Sequence, residues 1–295
     1  MLKVREAQMM ELKRLYQDKV IKLILAFAEE ETEVRAVLIN GSRVNPNAPV
    51  DIMQDYDIIF FIRSFTRDFR HNRQWITNWF GEPVIVQQLD ESDNCYCFLM
   101  QFADFRIDLT FHSIVNIEQV AQADSLSMWL LDKDKAAAEL PPPNESRYWV
   151  KKPEQKEFEL MLNEAWWIQP YVAKGIWRNE FPYVRAVYDN YLMKAIKCLV
   201  SWDIGSRHNW QVNPGKDGKW YKKYLDSKEY ADFIELYSTI DYQEIWQSLF
   251  KAGQFIRKTG MRLAENLGYA YPCQDDERVT SYLSKIRTES QKNDC

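Results

Sequence analysis

The run of three prolines at Pro141–Pro143 most constrains the fold of this 295-residue chain, because the hydrophobic pattern differs on its two sides. Proline fixes φ and lacks a backbone N–H, so neither a helix nor a central strand continues through the run. Before the prolines, apolar residues alternate with polar ones in short runs that are typical of strands; after them, the spacing is helical. The pattern predicts an α+β chain, with a small mixed sheet in a domain over residues 1–140 and an all-helical domain over residues 141–295.

The strands of the first domain are predicted from period-two runs rich in β-branched and aromatic residues. They are Val34–Ile39, Asp55–Ile62, Pro83–Gln88, Tyr96–Phe102 and Phe105–Phe111. Helical patterns at Met1–Ala26 and Arg67–Phe80 lie among them, and a further helical segment is predicted between Ser113 and Leu140.

The second domain is predicted to consist of helices joined by polar loops. Their ranges are Pro153–Tyr191, Leu192–Trp202, Ser227–Ser238, Tyr242–Leu267 and Asp276–Arg287. Pro170 is expected to bend the first of them. A ligand site is expected in a cleft between the two domains, where such sites commonly form.

Two carboxylates, Asp55 and Asp57, stand two residues apart at the start of an apolar strand. On a strand, both side chains leave from the same face, so their charges repel each other and lose hydration. A divalent cation resolves that conflict, and oxygen ligands of this kind suit Mg²⁺. The pair therefore predicts a magnesium site.

A Gly-Ser pair, Gly41-Ser42, follows the preceding strand and can hold a phosphate with its backbone N–H groups and hydroxyl. Asp108 lies on the polar face of a later strand and is expected beside the first two aspartates. Three carboxylates and such a turn form a site suited to in-line nucleotidyl transfer. Each element alone is weak evidence, since surface aspartates usually face solvent, but the combination in this order favours catalysis.

The chain resembles the DNA-polymerase-β-type nucleotidyltransferase superfamily, and more closely the aminoglycoside 6-adenylyltransferases, also called streptomycin adenylyltransferases. The resemblance extends over nearly the whole chain. It rests on Asn40–Pro49, Gln54–Ile58, Arg106–Thr110, Leu131–Asp134, Tyr148–Pro153, Asn163–Glu164, Tyr171–Gly175, Arg178–Glu180, Tyr242–Trp246 and Gly268–Pro272.

The resemblance implies a magnesium-dependent transfer of AMP from ATP to a hydroxyl of a streptomycin-like aminoglycoside, with release of pyrophosphate. It implies Asp55 and Asp57 as Mg²⁺ ligands and Asp108 as a third ligand or the general base. Gly41, Ser42 and Arg43 would then bind the nucleotide phosphates. The family commonly has an acidic residue where this chain has Asn40, which removes a charge beside the expected metal.

Five side chains recur at three- and four-residue steps in the first helix of the second domain, so they share one face. They are Glu164, Trp167, Tyr171, Lys174 and Arg178. Lys174 and Arg178 repel each other unless an anion lies between them, and the ATP triphosphate is a candidate. The alternative is a solvated basic edge, and the resemblance favours the phosphate role for Lys174. Glu164, Trp167 and Tyr171 are predicted to bind the acceptor.

The formal charge of −5 argues against nucleic acid as a partner, since nucleic-acid binding needs a basic surface. An acidic chain suits a cationic acceptor. No apolar window approaches the ~20 residues of a membrane span, and an odd number of cysteines without a signal peptide favours reduced thiols in the cytoplasm. A monomer is favoured. Two other hypotheses remain: transfer to another small molecule or a protein hydroxyl, and a nucleotide-binding protein without turnover.

Overall fold

A computed structural model of the chain describes residues 14–65, 69–92, 95–237 and 240–293. The chain divides into two compact units, Met1–Arg147 and Tyr148–Cys295. The first unit contains a mixed sheet and the second is helical, which confirms the predicted α+β class. Within the described ranges, no helix combines the length and apolar character that crossing a membrane requires.

The described part of the first unit has a six-stranded sheet in the order β3-β4-β5-β2-β1-β6. The strands are β1 (Val34–Asn40), β2 (Tyr56–Ile62), β3 (Ile85–Ser92), β4 (Cys95–Gln101), β5 (Arg106–Ser113) and β6 (Ser127–Asp132). β2 and β5 are parallel, and the other neighbours are antiparallel. A tight turn at Ala103–Asp104 joins β4 to β5, and the N–H of Phe102 donates to the carbonyl of Phe105 across it at 2.8 Å.

One face of this sheet is covered by helix α1 (Lys19–Glu30), with α2 (Gln74–Phe80) beside it, and α3 (Ile117–Ala121) packs on the opposite face. The Asp18 carboxylate caps α1 by accepting from the N–H groups of Val20 and Ile21. Phe27 of α1 stacks on Phe60 of β2, with ring centroids 5.6 Å apart. Because residues alternate along β5, its apolar residues enter this core and its polar residues face the other way.

The prediction of a helical segment between Ser113 and Leu140 was wrong at Ser127–Asp132, which forms β6 and pairs with β1. Short apolar runs fit either a strand or a buried helix, and here the open edge of β1 decides the outcome. Strand β2 begins at Tyr56, so Asp55 lies just before the strand. The predicted helices at Met1–Ala26 and Arg67–Phe80 lie partly outside the described residues.

The second unit has helices over most of its length. They are α4 (Gln155–Trp167), α5 (Gln169–Trp177), α6 (Phe181–Val187), α7 (Met193–Arg207), α8 (Tyr221–Tyr224), α9 (Ser227–Ile234), α10 (Tyr242–Leu267) and α11 (Cys273–Asn293). The bounds predicted for α10 are confirmed. The long helix predicted at Pro153–Tyr191 is instead a series of shorter ones. A bend was predicted at Pro170; the helix is interrupted just before it, at Ile168, and Pro170 lies in the first turn of α5.

A buried ion cluster joins three of these helices. The Asp203 carboxylate of α7 is 1% exposed and accepts from Nε and Nη2 of Arg262 on α10, at 2.7 and 2.6 Å. The same guanidinium donates to Glu229 of α9 at 2.6 Å. Removing one partner of this cluster would leave a buried charge uncompensated, which is costly.

Candidate active site

A row of polar residues crosses three adjacent strands of the sheet. Asn40 of β1 is paired with Asp57 of β2, and Asp57 is paired with Asp108 of β5. Paired residues on neighbouring strands point to the same face of a sheet. The sheet therefore places Asp108 directly beside Asp57, as the alternation of the sequence predicted.

Asp57 lies in the middle of this row and is mostly buried. Its pKa is raised from 3.8 to about 6, first by burial and then by the charges of Asp108 and Asp55, while Arg106 lowers it. The ionised form of Asp57 is therefore costly in the folded protein. Such a perturbed carboxyl beside two others is typical of a functional site.

Gly41 gives Asp57 the room that it occupies. The backbone φ of Gly41 is +78°, in the left-handed region that favours glycine. A Cβ built at this position would overlap Oδ2 of Asp57 and lie 3.1 Å from its Cγ. A side chain at position 41 would therefore displace the central carboxylate, which is a structural reason for glycine here.

Asn40 carries an orphaned polar atom in the same row. Its Oδ1 is buried and has no hydrogen-bond partner in the part of the chain that the structure describes. A buried acceptor of this kind costs free energy unless a donor, water or cation completes it. Asn40 therefore adds an oxygen, without adding a charge, at the end of the carboxylate row.

Arg106, at the start of β5, carries the cation of the site. Its Nε and Nη2 donate to the two carboxylate oxygens of Asp108 at 2.7 and 2.8 Å. The same Nε lies 3.9 Å from Oδ1 of Asp55. One guanidinium thereby connects two of the three predicted catalytic carboxylates.

Arg43 holds the segment that ends in Asp55. Its guanidinium donates to the carbonyl oxygens of Gln54 and Asp55 at 2.8 and 3.1 Å. It also lies over the ring of Tyr56, 3.4 Å from the centroid, and 3.6 Å from Oδ2 of Asp18. These contacts make Arg43 a positioning residue for Asp55 in this structure, whereas the sequence predicted a nucleotide contact.

The residues present fit a divalent cation in two respects. Hard oxygen donors converge on one sheet face, and the orphaned Oδ1 of Asn40 and the space kept by Gly41 lie beside them. In the described residues, however, no group of three or more His, Cys, Asp or Glu side chains is arranged to hold a metal ion. Asp108 is engaged by Arg106 instead.

The five residues predicted on one helix face all lie exposed on the second unit. Glu164 and Trp167 belong to α4, Tyr171 and Lys174 to α5, and Arg178 ends α5. The Trp167 and Tyr171 rings contact each other with centroids 6.1 Å apart, and Lys174 Nζ lies 5.9 Å from the Tyr171 ring centroid. Trp166 is in the core with 1% exposure, as expected for the neighbour of an outward Trp167.

Arg106 was not among the site residues predicted from the sequence. Its signal was present, because Arg106 stands two residues before Asp108 on the same strand and must share its face. The partner of Asn40 across the strands was likewise not predicted, since register depends on how β1 pairs with β2.

Comparison with known proteins gives one consistent family. A profile described as streptomycin adenylyltransferase matches residues 15–286. The aminoglycoside 6-adenylyltransferase of Bacillus subtilis (strain 168) is 33% identical over 279 residues, covering 92% of this chain and 97% of the relative. The enzyme of the same name from Campylobacter jejuni is 30% identical, covering 90% and 94%.

A solved structure is also similar, the crystal structure of an aminoglycoside 6-adenyltransferase from Bacillus subtilis. It has 29% sequence identity and a TM-score of 0.47, covering 90% of this chain and 96% of that chain.

Proposed function

Because the chain belongs to the streptomycin adenylyltransferase family, we propose that it transfers AMP from ATP to a hydroxyl of an aminoglycoside, with streptomycin as acceptor. The observation that carries this proposal is the pairing of Asp57 with Asp108 beside the turn at Gly41. Membership of the family supports the reaction class, and this row of polar residues supports the proposal that the reaction takes place there.

We assign Asp55, Asp57 and Asp108 to the catalytic site. These carboxylates would hold Mg²⁺, which would draw charge from the phosphate oxygens and orient the triphosphate. The half-buried Ser42 and the turn around it contact the phosphates in this assignment. Arg43 keeps Asp55 in place through its bonds to the main chain.

The proposed reaction is an in-line displacement at the α-phosphorus of ATP. The acceptor oxygen forms a bond to the α-phosphorus of ATP, and the bond from that phosphorus to the bridging oxygen breaks, so pyrophosphate leaves. We assign Asp108 two roles: one oxygen of its carboxylate would hold the metal, and the other accepts the hydroxyl proton, since the side chain is 19% exposed. The hydrogen bonds from Arg106 to the Asp108 carboxylate must first be broken.

The exposed residues of α4 and α5 are assigned to substrate binding. Glu164 supplies an anion for the ammonium groups of an aminoglycoside, and the contacting rings of Trp167 and Tyr171 supply an apolar surface for its sugar rings. Lys174 and Arg178 supply two cations for the triphosphate.

Replacing Lys174 with alanine is expected to raise the KM for ATP about tenfold while kcat changes less, because a phosphate contact is made in the ground state and the transition state alike. Steady-state kinetics with varied ATP check this. Lys222→Ala, at another exposed lysine of the same unit, is the control and should leave KM unchanged. An unchanged KM for Lys174→Ala would remove Lys174 from the nucleotide site.

The proposed function is tested by pyrophosphate release from ATP and Mg²⁺ with streptomycin, with other aminoglycosides and without acceptor. Release that requires streptomycin supports the reaction and the acceptor together. Release that requires a different acceptor keeps the chemistry and corrects the substrate. Binding of ATP without release under any of these conditions would contradict the proposal and favour a nucleotide-binding protein.

A further inference from the structure

The proposed metal site contains a cation of its own. Arg106 binds both oxygens of Asp108 and lies 3.9 Å from Asp55, so it already offsets part of the negative charge of two residues assigned to hold the metal. A fork of two parallel bonds to one carboxylate is among the strongest arrangements that a guanidinium makes.

The charges in the site are incompletely balanced. Three carboxylates and one guanidinium carry a formal net charge of −2. One divalent cation would neutralise it. Within the described residues the Asp57 carboxylate forms no ion pair, whereas Arg106 lies against Asp108 and Asp55. Arg106 therefore contacts Asp108 and lies near Asp55, and it acts on Asp57 only through its charge, without an ion pair.

Arg106 is able to leave this position. Its side chain is 38% exposed and stands at the first residue of β5, so turning it outward breaks no core packing. The guanidinium needs another anion to make that movement favourable, and phosphate oxygens accept the same two-pronged geometry.

We propose that Arg106 is the resident counter-cation of the catalytic carboxylates, which competes with a divalent cation for Asp108 and is released to the phosphates when the metal-nucleotide binds. This inference rests on the proposed function and adds a positioning residue to it. It follows that the free protein binds the metal weakly without nucleotide. Since coupling between two ligands is reciprocal, nucleotide and metal then strengthen each other's binding.

The test measures Mn²⁺ binding directly, by the electron paramagnetic resonance signal of free Mn²⁺, with and without an ATP analogue that has a non-cleavable α,β bridge. Arg106→Gln removes the competitor, so its affinity for Mn²⁺ without nucleotide should rise about tenfold, within the usual range of such couplings. Adding the ATP analogue should then raise the Mn²⁺ affinity of Arg106→Gln less than it raises that of the wild type. If Arg106 had only a structural role, its loss would lower the Mn²⁺ affinity, because the carboxylates would be less well positioned.

Two further variants complete the experiment. Arg35→Gln breaks a comparable arginine–carboxylate pair, with Asp134 in the same unit, and should leave Mn²⁺ binding unchanged. Arg106→Lys keeps the positive charge but cannot form two parallel hydrogen bonds to Asp108, so its Mn²⁺ affinity should fall between those of the wild type and Arg106→Gln. This variant also tests the inference if Arg106→Gln fails to fold.

Unchanged or weaker Mn²⁺ binding in both Arg106 variants would overturn the inference, and AMP transfer by the wild type would then show that the proposed function stands without it. Absence of Mn²⁺ binding in every variant, with and without nucleotide, together with absence of AMP transfer, would overturn both.

Discussion

Replacing Asp57 with asparagine is expected to lower the rate of AMP transfer by about a thousandfold or more, because the central carboxylate of the row is lost from the metal site. The substitution keeps the size of the side chain and its place between Asn40 and Asp108. The fold should therefore survive.

The same substitution is expected to stabilise the protein at neutral pH. The pKa of Asp57 is raised from 3.8 to about 6, so the folded state holds this proton more tightly than the unfolded state does. A carboxyl with a raised pKa contributes stability that is present below its unfolded pKa and is lost as pH rises through its folded pKa. Wild-type stability thus falls between about pH 4 and pH 6, by an amount on the order of 2–3 kcal/mol, and the asparagine variant escapes that loss.

Denaturant unfolding at pH 5 and pH 8, together with the transfer rate, checks both parts. The stability advantage of Asp57→Asn should be largest at pH 8 and about half as large at pH 5, because the unfolded carboxyl ionises from about pH 4 upward while the folded one keeps its proton until about pH 6. Asp104→Asn, the same change at an exposed turn, is the control and should alter neither quantity. Near-normal transfer by Asp57→Asn would remove Asp57 from the metal site.

Replacing Gly41 with alanine is expected to cost about a hundredfold in transfer rate, the scale on which displacing a catalytic group by about 1 Å acts. A Cβ at position 41 would overlap Oδ2 of Asp57, so the carboxylate or the turn must move. The φ of +78° adds backbone strain on the order of 1–2 kcal/mol.

Gly268→Ala separates these two effects. Gly268 has a similar φ of +73°, but a Cβ there meets nothing within 4 Å. It should therefore show the strain in a stability measurement and keep normal activity. If Gly41→Ala lost stability to the same extent and retained full activity, the close approach of Gly41 to Asp57 would have no catalytic consequence.

The sequence predicts the fold best where a pattern is long or chemically distinctive. The amphipathic pattern of Tyr242–Leu267 gives α10 its bounds, and Asp241 caps its start by accepting from two backbone N–H groups. Ser127–Asp132 was mistaken for part of a helical segment, because a strand of six residues gains its stability from β1, which lies far away in sequence.

The placement of the carboxylates follows from strand alternation, but their partners do not. Period two puts Arg106 and Asp108 on one face, yet only the parallel pairing of β2 with β5 brings Asp57 beside Asp108. The role of Arg43 shows the same limit. A basic residue next to a Gly-Ser pair suggests phosphate binding, whereas its guanidinium here turns to the carbonyls before β2.

The most direct test of the central claim is the mass of streptomycin after incubation with the protein, ATP and Mg²⁺. The account predicts a product heavier by one AMP less water, formed with one pyrophosphate per molecule and absent with Asp57→Asn. Unmodified streptomycin, under conditions where ATP and Mg²⁺ are bound, would contradict the account for this acceptor.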